Sequence, residues 1–309
     1  MKFYFSGVEA IPDSDLRDRI VTECACRLQS CHGNYIKTAY KWMRSAVELG
    51  VAKGKYMLLD SGAFTAWKSG HPTTLKQLLP IYKDIQEKFA HLYDEMWFIN
   101  LDVIPGSMDK APTQQDIQQA LIDSDINYEI LVKELGPCVL PVIHQGEDWD
   151  RLEVLKQQSN YICVSPRQTI AEKYRALWCE QVATKADGYE LHGLATTGAR
   201  IIRSADWHSV DSASWVITGG IGTILCLVGG KLMSVSVSYE SPNKKDAGKH
   251  LTNMPPTIQQ VIVAQLEQYG FTLEDVETNP GCRQAFNLLV TQQWTTGIDT
   301  NHHRQQGLF

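Results

Sequence analysis

Apolar runs of strand length alternate with amphipathic stretches of helix length from Lys2 to Val210, and no other feature of the chain restricts its fold so tightly. Repeated βα units produce this rhythm, each strand laid parallel to the last and each helix covering the sheet. Strands are predicted at Lys2–Ser6, Cys26–Cys31, Tyr56–Leu59, Trp97–Leu101, Cys138–Ile143, Tyr161–Val164, Gly188–Leu191 and Trp207–Val210. Helices are predicted at Ser14–Thr22, Tyr35–Leu49, Leu75–Phe89, Thr113–Leu135 and Ile170–Val182. Eight strands with helices between them is the count for an α/β fold closed as a (βα)8 TIM barrel. The 309 residues suffice for one such domain spanning 1–309, with a hairpin and loop at 216–250 inserted after strand eight and C-terminal helices at 251–296.

Trp215–Gly230 is an uncharged run, but it is shorter than the roughly 20 residues a membrane-spanning helix needs. Its five glycines make it a poor helix. A buried strand pair turning at Gly229-Gly230 is the expected structure, Ile224–Val228 against Leu232–Tyr239. No membrane association is expected. The opening MKFYFSGVEA has too short an apolar run for a secretory signal, so a cytoplasmic location is expected. Eight cysteines at irregular spacings fit reduced thiols better than a disulfide framework. An apolar content of 43% excludes a disordered chain, and a net charge of −6 means that any nucleic-acid partner must meet a local basic patch.

Three of the predicted strands end in or near an aspartate: Asp60 in LLDSGAF, Asp102 in FINLDVIP and Asp211 in SVDSASW. Active sites of βα barrels lie at the C-terminal ends of the strands, so this register gathers Asp60, Asp102, Gln145, Gly193 and Asp211 at one mouth. Converging carboxylates are costly unless they hold a metal, share protons or serve a cationic transition state. Two carboxylates flanking a sugar C1′ are the arrangement for retaining glycosyl transfer, one attacking while the other manages the proton. A third can accept from the N–H edge of a base. Taken singly, Asp60 and Asp102 read equally well as turn or cap residues, and Asp211 has a hydrogen-bonded turn as its lesser alternative. His144 and His192 read as packed barrel histidines rather than ligands. Cys26 and Cys31 would point to opposite faces of a strand, which argues against a zinc cluster with Cys24 and His32.

The segments LLDSGAF, LDVIP, VIHQG, HGLATTG and SVDSASW, in that order over Tyr56–Trp215, resemble the queuine/tRNA-guanine transglycosylase superfamily. The resemblance is greatest to its phage-type branch, which places 7-deazaguanines in DNA. It implies that Asp211 is the covalent nucleophile and Asp60 the general acid and base, with Ser61 and Phe64 beside the base. It further implies that Asp102 and Gln145 read the base edge and that Gly193 and Leu194 give backbone contacts. The tRNA enzymes carry a Cys-x-Cys-x-x-Cys…His zinc site downstream of the nucleophile, where this chain offers only Cys226, His250 and Cys282. No metal and no other cofactor is therefore expected, and the DNA reading leads. The implied partners are DNA and a 7-deazaguanine base, 7-cyano-7-deazaguanine (preQ0) or a relative. Arg167, Arg200, Arg203, Lys244 and Lys245 are the expected phosphate contacts, and equally describe a solvated face. Exchange on tRNA, and a barrel that binds a nucleic acid or base without turnover, stand as alternatives.

Overall fold

The computed structural model describes residues 1–11, 14–106, 112–198, 200–241 and 249–297. Among them, nine parallel strands form one sheet: β1 (Lys2–Phe5), β2 (Cys26–Ser30), β3 (Tyr56–Asp60), β4 (Glu95–Ile99), β5 (Val139–Leu140), β6 (Val142–His144), β7 (Tyr161–Ser165), β8 (Glu190–Gly193) and β9 (Ser209–Ser212). Their lateral order is β5-β4-β3-β2-β1-β9-β8-β7-β6. The two ends of that order are halves of one segment broken only at Pro141, so the sheet meets itself there. Proline has no N–H to give to a ladder; β5 pairs with β4, β6 pairs with β7, and the Pro141 carbonyl still accepts the Cys163 N–H at 2.8 Å. Counted by segments this is an eight-stranded α/β TIM barrel, the fold class the alternation predicts.

Helices follow the strands: α1 (Ser14–Glu23), α2 (Tyr35–Glu48), α3 (Ala63–Ser69), α4 (Leu75–Phe89), α5 (Gln114–Leu135), α6 (Trp149–Gln158), α7 (Glu172–Lys185), α8 (Ser214–Gly220), α9 (Pro256–Gln268), α10 (Leu273–Thr278) and α11 (Pro280–Thr296). The chain divides into two compact units. One contains residues 1–6 and 25–211; the other contains Gly7–Cys24 and Ser212–Ile298. The hairpin and C-terminal helices read from the sequence as an appendage fall in the second unit, together with α1.

In the first unit the helices bury the stripe that their sequence spacing dictates. On α2 this is Ala39, Trp42, Met43 and Ala46, one face of a 3.6-residue period. Capping boxes start α4 at Thr74 with Gln77 and α5 at Thr113 with Asp116. Inside the barrel, Tyr4, Cys26, Leu28, Leu58, Ile99, Leu140, Val142, Tyr161 and Cys163 pack as one buried cluster. These are alternate residues of their strands, as a pleated sheet requires.

In the second unit, β10 (Thr223–Val228) and β11 (Lys231–Ser236) pair antiparallel, with Val228 opposite Lys231. Gly229 and Gly230 take φ values of 56° and 74°, which the two-residue turn requires. The first half of the uncharged run is not a strand, however. Residues 214–220 are helical, and a Cβ on Gly219 would stand 2.9 Å from the backbone nitrogen of Gln284 in α11. Gly219 allows two helices to touch and does not break one. The buried α11 also carries polar side chains that satisfy its neighbours' backbone. Asn287 accepts the Leu225 N–H at 2.7 Å and donates to the carbonyls of Trp215 and Thr223.

Replacing Asn287 by Leu keeps the volume but orphans one N–H and two carbonyls, so a loss of about 2–5 kcal/mol is expected. Urea denaturation of parent and variant measures it. A loss below about 1 kcal/mol would mean that these groups find other partners.

Candidate active site

The barrel's inward positions change character toward the strand ends. In β2 the series Cys26, Leu28 ends at Ser30, and in β3 the series Tyr56, Leu58 ends at Asp60, which lies opposite Ser30. Period-two geometry therefore delivers Asp60 inward above the apolar cluster. Its carboxyl accepts the Gly62 N–H and a hydrogen bond from Ser30. The chain turns here through Gly62 at φ 75°, where a Cβ would fall 2.3 Å from that of His32. Only glycine fits this turn.

Asp60 keeps partial surface exposure but is enclosed enough that desolvation dominates its titration. Burial pushes its pKa up to about 7; the Gly62 N–H opposes this, and the negative charges of Asp211 and Asp102 add to it. The same three carboxylates all act on the buried Cys163 thiol and help push it up. The three aspartates singled out from the sequence therefore share one mouth.

Asp102 lies beyond β4 and is held from behind. Ser124 of α5 accepts the Val103 N–H at 2.8 Å, and Asn127 donates to the Leu101 carbonyl at 2.8 Å. In front, Asp102 Oδ2 meets His144 Nε2 at 2.9 Å. Burial works against charging that imidazole, but the hydrogen bond and charge of Asp102, with the charge of Glu147, raise its pKa on balance. His144 is thus a hydrogen-bonding partner of the site as well as a packed residue. Its neighbour Gln145 has its amide oriented by the Arg167 N–H, which donates to Oε1 at 3.1 Å.

Asp211 sits inside β9 because β8 and β9 run two residues later than the sequence suggests. Its Oδ1 accepts the Ala195 N–H at 2.8 Å, and its Oδ2 lies 3.4 Å from the Ser6 hydroxyl. Ala195 has φ 50°, the one positive-φ residue other than glycine among the described residues. The turn Gly193–Thr196 is tight: a Cβ on Gly193 would fall 1.9 Å from Thr196 Oγ1. His192, fully buried, places Nε2 3.4 Å from Asp211 Oδ1. Neither histidine's role is carried by any local motif; the signal is only that each stands next to a strand-end residue already singled out.

The remaining expected site residues are less uniformly placed. Phe64, 51% exposed on α3, stands beside Trp67 with ring centroids 6.0 Å apart. Ser61 is wholly buried and its hydroxyl accepts the Ala63 N–H at 3.4 Å, so it supports the turn. The Leu194 N–H is engaged by the Val164 carbonyl at 2.9 Å and its side chain packs on the barrel cluster. Arg167, Arg200 and Arg203 are exposed; Lys244 and Lys245 lie outside the described residues.

A zinc of the kind found in the tRNA enzymes does not fit the residues present. His250 uses both ring nitrogens, Nε2 toward the Ser238 carbonyl at 3.2 Å and Nδ1 toward Thr252 Oγ1 at 2.9 Å. Among the described residues, no three His, Cys, Asp or Glu side chains are grouped to hold a metal ion. No helix among them is long and apolar enough to cross a membrane.

No family model matches the sequence, and no curated protein matches it. Among solved structures the chain is similar to the tryptophan synthase alpha chain from Legionella pneumophila subsp. pneumophila, at 9% identity and a TM-score of 0.42, over 93% of this chain and 97% of that one.

Because Asp60 titrates near 7 when folded and in the ordinary carboxylate range when unfolded, the folded chain holds a proton that the unfolded chain has lost between those values. The resulting stabilisation is complete below the unfolded pKa and vanishes as pH rises through about 7. Denaturation midpoints measured from about pH 4 to about pH 8 should fall less steeply for Asp60→Asn than for the parent. Parallel curves would return Asp60 to an ordinary carboxylate.

Proposed function

We propose that the chain exchanges guanine in DNA for a 7-deazaguanine, 7-cyano-7-deazaguanine or a relative, by a retaining double displacement. One observation carries this reading: three strand-end carboxylates share a mouth, and their surroundings give them different tasks. Asp60, raised to about 7, is matched to giving and taking a proton at neutral pH. Asp211, held by the Ala195 N–H, is aimed as a nucleophile. Asp102, paired with His144, is an acceptor for the N–H edge of a base.

The reacting nucleotide must leave the stack before its C1′ is reachable. An Asp211 oxygen bonds to C1′ as the C1′–N9 bond breaks, and the departing guanine takes its proton from Asp60. The incoming deazapurine returns a proton to Asp60 as its nitrogen bonds to C1′ and the Asp211 ester bond breaks. Two inversions retain configuration. The exposed Phe64 offers a ring face for the extruded base, and Arg167, Arg200 and Arg203 supply positive charge for phosphates. Downstream of Asp211 the chain offers only Cys226, His250 and Cys282 in place of the Cys-x-Cys-x-x-Cys…His zinc site of the tRNA enzymes, which favours DNA over tRNA.

Guanine-labelled DNA and tRNA, incubated with the protein and 7-cyano-7-deazaguanine, test the proposal. Label should leave DNA, with a denaturation-resistant protein–DNA adduct, and the Asp211→Asn variant should lose both by about a thousandfold or more while still binding DNA in a salt-dependent manner. Full exchange by Asp211→Asn would dismiss the covalent course, and release from tRNA alone would transfer the substrate to RNA. Binding without any release would leave a recognition barrel.

A further inference from the structure

Beneath the mouth lies a hydrogen-bonded chain that the exchange mechanism does not use. The Tyr161 hydroxyl meets Ser209 Oγ, Ser209 Oγ meets His192 Nδ1, and His192 Nε2 faces Asp211 Oδ1 at 3.4 Å. All four residues are buried, with His192 and Ser209 fully so. The imidazole plane is fixed by edge-on contacts with the rings of Tyr4 and Tyr161, at 5.8 and 6.5 Å between centroids. No hydrogen bond reaches Nε2, because the approach to Asp211 is near but imperfectly aligned.

A chain of hydroxyls and one imidazole has two possible polarities, and the two ends decide between them. At one end, burial raises the Tyr161 phenol well above its ordinary range, so it stays protonated. If Tyr161 donates to Ser209, Ser209 donates to Nδ1 and the imidazole proton sits on Nε2, directed at a carboxylate oxygen. In the reverse polarity Tyr161 has no acceptor for its own proton, since the nearby Tyr4 hydroxyl is itself unpartnered. The Nε2 lone pair would also face Asp211. The reverse order leaves one buried donor unpaired and sets two electron pairs against each other.

We infer that His192 is a positioning residue, held as its Nε2–H tautomer by Tyr161 and Ser209, which anchors Oδ1 of Asp211 and leaves Oδ2 as the attacking oxygen. Oδ1 then has two N–H groups, from Ala195 and His192, whereas among the described residues Oδ2 has only the Ser6 hydroxyl at 3.4 Å. The less engaged oxygen keeps its lone pairs for carbon. As the ester forms on Oδ2, Oδ1 becomes its carbonyl oxygen and remains held. The tautomer follows from the geometry alone; its catalytic consequence rests on the exchange reading above.

Two measurements separate the parts. Nitrogen-15 NMR of protein labelled in its histidines reports the tautomer without any activity. The His192 signal, assigned by its absence in His192→Gln, should be that of an Nε2–H imidazole, and Ser209→Ala should shift it toward a mixture. An Nδ1–H tautomer in the parent, or a signal indifferent to Ser209→Ala, would overturn the inference even if the chain exchanges no base. Rates of adduct formation on DNA then test the consequence. His192→Leu should lower kcat by about 10–100-fold with KM little changed, and His192→Gln, whose amide offers an N–H at a similar reach, should recover most of it. Equal loss in both, with native-like thermal unfolding, would reduce His192 to packing. Absence of exchange in the parent would defeat the proposed function while leaving the NMR result to decide the tautomer.

Discussion

Three carboxylates at the mouth of one barrel repel one another and resist desolvation, and the surrounding architecture answers that cost at each of them separately. Asp60 answers it by becoming readily protonated, because its enclosure outweighs the Gly62 N–H that favours the charged form. Asp102 answers it with an imidazole partner, His144, whose pKa its hydrogen bond and charge raise against the opposing effect of burial. Asp211 answers it with a donor, the Ala195 backbone N–H at 2.8 Å, and a buried imidazole stands 3.4 Å from the same oxygen. Identical side chains thereby acquire different chemistry from their environments alone.

What places these groups so closely is the two-residue period of the strands. Every strand contributes alternate residues to the interior, so the pattern that packs Leu58 into the apolar cluster also presents Asp60 above it. Ser209 and Asp211 stand in the same relation on β9, and His192 and Leu194 along β8. A one-residue slip of any strand would turn its inward residues, core and site alike, to the outer face of the sheet. The site's register and the core's register are the same property.

Much of this was legible in the sequence wherever a local pattern is sufficient. The helices α2 and α5 and the hairpin at Gly229-Gly230 announce themselves through periodicity, capping residues and turn chemistry. The last two barrel strands were displaced by two residues because Gly188 and Trp207 look as strand-like as Gly193 and Ser212, and only pairing with β7 and β1 chooses among them. Short helices such as α3 and α8 carry too few residues to establish a period, and α8 ends in glycines whose purpose is a close approach to α11. The aspartates were found because each follows an apolar run. The parts of His144 and His192 were not, because a histidine's partners are decided by strands far away in sequence.

The turn after β8 joins these threads. Gly193 must lack a side chain because Thr196 Oγ1 occupies the place of its Cβ, and Ala195 must accept a left-handed backbone that costs an L-residue about 1–2 kcal/mol. Glycine would remove that strain at 195, but it would also loosen the backbone N–H that holds Oδ1 of Asp211. Strain of this kind persists only where neighbours over-determine it. Here they do: the Leu194 N–H is tied to Val164, Thr196 is packed with no exposure, and Asp211 closes the turn from the adjacent strand. The stored strain and the aim of the carboxylate are two sides of one contact, so the backbone at Ala195 belongs to the site as much as the side chains around it.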